Sequence, residues 1–150
     1  MKAEKVDYYL TVTPTKSDPG SKDFKLANQG NRNPDNYLKD DGKLDFTGAS
    51  KKCFKIHFTL LEGETYGLRF LPSVKDAIWI ATDGSCPTEK PLKQPDEFEQ
   101  GELSADRTIL SIVNKNKTKK SYNYALRFER EGSTVPKLFD PVVISGGGGN

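Results

Sequence analysis

The chain has 150 residues, 34% of them hydrophobic and 29% charged, and its 23 lysines and arginines against 21 acids leave a net charge of +2. That charge is too small for the basic field that nucleic-acid binding usually needs, and no apolar run approaches membrane-spanning length, so neither nucleic acid nor a membrane is expected as a partner. A single domain of this size buries roughly 70% of the surface its unfolded chain exposes, and it needs neither metal nor disulfide to fold.

Residues 1–7 lack the apolar stretch of a signal peptide, which predicts a cytoplasmic protein. In that reducing setting the two cysteines, Cys53 and Cys86, are expected to be free thiols. Residues 5–13 alternate, with Val6, Tyr8, Leu10 and Val12 on one side and Asp7, Tyr9, Thr11 and Thr13 on the other, and Pro14 closes this first strand. Residues 15–43 are almost wholly polar and read as a long loop anchored by Phe24, Leu26, Tyr37 and Leu38.

A short strand over 44–46 precedes a strong one over 53–61, where Phe54, Ile56, Phe58 and Leu60 alternate with Lys55, His57 and Thr59. Glu62-Gly63-Glu64 turns the chain into a strand over 66–71. After Pro72, residues 76–82 are apolar on both faces, which predicts a central strand with Trp79 packed against a facing sheet. Residues 83–106 form a second polar excursion, with room for one helical turn near 96–100.

Two β-type runs follow, 108–114 and 121–128, joined by the lysine-rich residues 115–120; the spacing predicts an antiparallel hairpin with Tyr122, Tyr124, Leu126 and Phe128 on its buried face. Residues 139–144 offer a last strand, which Pro141 places at an edge or at a strand start, because proline cannot donate to the ladder. The sum is an all-β protein, an antiparallel two-sheet sandwich of about eight strands with two long loops, as one domain over 1–144, with a flexible Gly-rich tail over 145–150.

From Cys53 onward the order of features resembles an immunoglobulin-like domain. A cysteine-bearing strand precedes the Trp79 strand, and Tyr122-x-Tyr124 falls where that fold places its tyrosine corner and second cysteine. Tyr124 stands in place of that cysteine, so the family's disulfide is not implied. Ala77-Ile78-Trp79-Ile80 together with Phe139-Asp140-Pro141 is also similar to small bacterial β-sandwich proteins of unassigned function.

No catalytic, cofactor or metal constellation emerges. His57 is the single histidine, about 13 Å along the strand from Cys53 and too far to share a metal with it. It reads as a surface residue beside Lys55 and Thr59. Cys86 has no base in view, and no serine elbow or phosphate-cradling loop is present. The expectation is therefore a binding module without enzymatic activity that contacts another protein through its long loops, using Arg32 and Tyr37 in the first and Asp96, Glu97, Phe98 and Glu99 in the second. Self-association through an exposed edge over 139–144 is the alternative, and a small-ligand or carbohydrate binder the next.

Overall fold

The computed structural model describes residues 4–16, 19, 23–29, 36–39, 43–46, 52–81, 98–116, 121–132, 137–139 and 142–144. The described chain is all-β, with two single-turn helices, and its strands form two sheets. The five-stranded sheet has the order β2-β1-β4-β8-β7, where β1 is Glu4–Pro14, β2 Phe24–Asn28, β4 Lys52–Leu60, β7 Phe98–Leu103 and β8 Ile109–Asn114.

Strands β1 and β4 alternate in phase, so pairing them in register sets Tyr8 beside Ile56, Leu10 beside Phe58 and Val12 beside Leu60 on one buried face. The ladder is parallel, from Glu4–Lys52 to Val12–Leu60, and this departs from the wholly antiparallel arrangement expected. Parallel neighbours need a long crossover, and residues 15–51 supply it.

That crossover is not only loop. Phe24–Asn28 doubles back along β1 as β2, burying Phe24. Its alternation of Phe24, Leu26 and Asn28 is too short to stand out from the polar sequence around it. The second excursion holds a strand too: Phe98–Leu103, expected as loop or helical turn, pairs antiparallel with β8 across a bulge between Glu99 and Glu102. Gly101 permits that bulge, since a Cβ there would stand 1.5 Å from the Ser111 carbonyl oxygen.

The expected hairpin is absent. β8 runs antiparallel to β4 in the five-stranded sheet, whereas Ser121–Arg130, strand β9, is the spine of the other. Each run has one apolar face, and the two faces meet across the core instead of lying side by side. After β8 comes Asn116, whose backbone is left-handed (φ 55°) and whose Nδ2 donates to the Lys52 carbonyl at 3.0 Å.

In the second sheet β9 is flanked on both sides by broken strands. Leu126 pairs with both Ile78 and Phe139, and Phe128 with both Phe70 and Lys137. One flank is therefore β5 (Leu68–Phe70) and β6 (Ile78–Ala81), interrupted by helix α2 (Val74–Ala77); the other is β10 (Lys137–Phe139) and β11 (Val142–Ile144). β11 also pairs in parallel with β3 (Leu44–Asp45), so it lies inside the sheet; of the two places expected for residues 139–144, an edge or a strand start, the exposed edge is not found, and Pro141 is outside the described residues.

The apolar faces of the two sheets pack on each other. Phe58 meets Tyr124 at 5.6 Å between ring centroids, Phe24 stacks on Phe128 at 5.1 Å, and Phe98 stands edge-on to Tyr122 at 4.9 Å. Ile78 and Ile80 take the inward positions of β6. Trp79, expected in the core, therefore faces outward, because side chains alternate along a strand and its neighbours are already inside. There the Arg127 guanidinium covers its ring at 3.7 Å, a cation–π contact that accounts for the half-burial of both.

Candidate functional site

A cleft of about 550 Å³ opens at the end of the molecule where β4 finishes and β8 begins. Its first wall is the turn after β4. Gly63 is pressed against the chain, with a Cβ there 2.6 Å from the Leu68 carbonyl oxygen and 2.8 Å from the Leu60 side chain. The left-handed residue that reverses the chain is its neighbour Glu62 (φ 56°), which adopts the conformation without a glycine's freedom. Helix α1, Gly63–Tyr66, then closes on Gly67, also left-handed, whose N–H bonds the Gly63 and Glu64 carbonyls.

The second wall is the β7–β8 turn. Asp106 accepts from the Ser104 hydroxyl at 2.7 Å, the Thr108 hydroxyl at 2.8 Å and the Thr108 N–H at 3.2 Å. These bonds, that from Ser104 foremost, hold its carboxyl below the ordinary aspartate value. The Ser104 hydroxyl oxygen in turn accepts from the N–H groups of Thr108 and Ile109. Arg107 sits left-handed in this turn (φ 59°), and its carbonyl receives the Phe70 N–H, which ties the turn to β5.

Arg107 bonds Glu129, and Arg69 Nε reaches the same oxygen at 2.8 Å. The Arg107 bond above all depresses the Glu129 carboxyl, opposed by partial burial. Glu131 completes the rim, its N–H donating to the Gly67 carbonyl at 2.8 Å. Among the described residues the carboxylates of Glu64 and Glu131 have no hydrogen-bond or ion-pair partner, and Arg69 uses only Nε. The cleft thus presents two free anions and a half-engaged guanidinium from a fixed backbone.

The residues expected to bind a partner lie elsewhere. Arg32, Asp96 and Glu97 are outside the described residues. Phe98 is buried, and half-buried Tyr37 packs on Phe46 and Phe54 at 5.2 Å, so both aromatic side chains belong to the core and not to an exposed loop. They share the Phe54 end of the molecule, since Phe54 pairs with Asn114 and Asn114 with Phe98. Glu99 is exposed on β7. The cleft residues escaped sequence reasoning; Gly63 and Gly67, which open and cap the four-residue helix α1, and the Ser104-x-Asp106-x-Thr108 spacing, are the signals that mark them.

Cys53 is a free thiol facing outward with Lys55 and His57, as its alternation with Phe54 requires. His57 faces outward as expected but is not a lone surface residue: Asp7 and Ser111 hold its two ring nitrogens. Among the described residues no group of three or more His, Cys, Asp or Glu side chains is placed to hold a metal ion, and no helix is long and apolar enough to cross a membrane. The chain matches no known family model, and no curated protein is similar enough to count as a relative.

Proposed function

We propose that the protein is a binding module that acts without catalysis and receives a polar segment of another polypeptide in the cleft between the β4–β5 and β7–β8 turns. The observation that carries this reading is a non-glycine left-handed residue in each of the two turns that wall the cleft, Glu62 next to the lining residue Gly63 and Arg107 between the lining residues Asp106 and Thr108. Such backbone costs roughly 1–2 kcal/mol per residue and is retained where a local shape is needed. A volume of about 550 Å³ suits a few side chains. The free carboxylates of Glu64 and Glu131 favour cationic groups, and the open nitrogens of Arg69 favour a carbonyl or carboxylate beside them.

The same proposal takes the architecture as an immunoglobulin-like sandwich, supported by the facing sheets, with the parallel β1–β4 and β3–β11 ladders as its own departures. It takes the setting as cytoplasmic, in keeping with the free Cys53 thiol. The triple variant Glu64→Ala, Arg69→Ala, Glu131→Ala tests the binding reading. Its melting temperature should stay within a few degrees of the parent, because all three side chains are exposed or at the rim. A partner retained from source extract by the parent should be lost, with affinity down about tenfold or more. Equal retention by both proteins would place the contact elsewhere.

Self-association is the second reading, favoured by one observation: among the described residues β7 ends its sheet with no further strand beside it. A native mass that rises with concentration would select it.

A further inference from the structure

The geometry points to Ser111 as an activated nucleophile, able to accept an acyl group from an ester or thioester donor, on the outward face of the five-stranded sheet. This goes beyond the binding reading and uses none of the cleft residues. Three adjacent strands supply the parts: Asp7 on β1, His57 on β4 and Ser111 on β8, the last two paired directly in register. Ser111 Oγ lies 2.7 Å from His57 Nδ1, and Asp7 Oδ1 lies 2.9 Å from Nε2.

The chemistry of the partners assigns the protons. A carboxylate only accepts, so in the neutral imidazole Nε2 carries the hydrogen toward Asp7 and Nδ1 turns its lone pair to Ser111, whose hydroxyl donates. That is a hydroxyl, a base and a group that orients the base, all in hydrogen-bond reach, with the two ring nitrogens exchanged relative to the serine-protease arrangement. Tyr9 stacks on the imidazole at 4.7 Å and 13° between planes, which fixes the ring.

The β7 bulge adds a second feature. Gly101 brings bare backbone against Ser111, so no side chain covers it from that position. Lys55, whose ammonium lies 3.4 Å from Glu102, the register partner of Ser111, adds a cation to the same outward face. Ser111 keeps 6% of its surface, so the donor it admits is narrow.

In the step, Ser111 Oγ bonds to the acyl carbon as its proton passes to His57 Nδ1. The bond from acyl carbon to the leaving oxygen or sulfur breaks, and the proton departs with the alcohol or thiol. The product is a Ser111 ester.

An alkyl fluorophosphonate, followed by peptide mass spectrometry, tests this on the full chain. The expected result is an adduct on Ser111 that forms about tenfold or more faster in folded than in denatured protein. His57→Gln should slow it by about tenfold or more at an unchanged fold, judged by circular dichroism. Asp7 is a positioning residue, so Asp7→Asn should slow labelling less than His57→Gln does, and Asp7→Glu, which keeps the carboxylate, should restore part of the rate; this pair decides the matter if His57→Gln does not fold. Absence of a Ser111 adduct in the folded parent, or a rate indifferent to His57, would overturn the inference.

Discussion

Tyr124 is buried at the junction of the two sheets, and among the described residues its hydroxyl has no hydrogen-bond partner. Burial alone pushes the phenol far above its ordinary value. An unsatisfied buried hydroxyl costs about 1–3 kcal/mol, while the ring contributes through Phe58. Tyr124→Phe keeps the ring and removes the cost. It should raise stability by about 1 kcal/mol, read as a higher denaturant midpoint at constant slope; a loss would mean that the hydroxyl is bonded. Sequence periodicity put Tyr124 inward with Tyr122, Leu126 and Phe128, and the structure agrees. It could not foresee Trp79 facing outward, because an unbroken apolar run states no phase.

At the level of elements, alternation revealed which residues share a face but not which strand lies beside which. β4 and β9 were legible because each carries four apolar residues in strict alternation, a pattern that no loop imitates. β2 and β7 were hidden: β2 by its brevity, β7 by the bulge that breaks its period between Glu99 and Glu102. The partnership of β1 with β4 is non-local, and so is the assignment of β8 and β9 to different sheets. Neither leaves a mark on adjacent sequence. The bulge gives the sharpest test of this level. Gly101→Ala places a methyl group 1.5 Å from the Ser111 carbonyl oxygen and 2.9 Å from the Ile112 Cα, both backbone atoms that cannot swing away. β7 must separate from β8 or lose its register, and stability should fall by about 2–4 kcal/mol in urea unfolding. A cost under about 0.5 kcal/mol, the range of ordinary surface changes, would show that the bulge is not fixed by Gly101.

For the whole molecule, the decisive feature is one core shared by two sheets. Phe58 on β4 contacts Tyr124 on β9, and it borders, with Ile78, Ile80 and Ile112, an internal gap of only about 10 Å³, too small and apolar to hold water. The two ends of the molecule have different characters because of that core. At the Phe54 end, Tyr37 and Phe98 close it with aromatic rings; at the Leu60 end, charged turns meet over the cleft. Sequence reasoning placed function on the long loops because long loops are costly to order, yet among the described residues two of the three left-handed non-glycine residues, Glu62 and Arg107, lie in short turns that no composition rule singles out. If the sheets are truly interdependent, damage to one must be felt in the other. Phe58→Ala removes a ring that is 1% exposed and should cost about 3–5 kcal/mol. Amide exchange measured residue by residue would then speed up to the same extent in β1 and β4 as in β9, because the slowest protons of both sheets exchange through a single global opening. Faster exchange confined to β1, β4 and β8 would mean instead that β9 and its flanking strands hold together without the facing sheet, and the cleft, which draws walls from both, would then have no fixed shape.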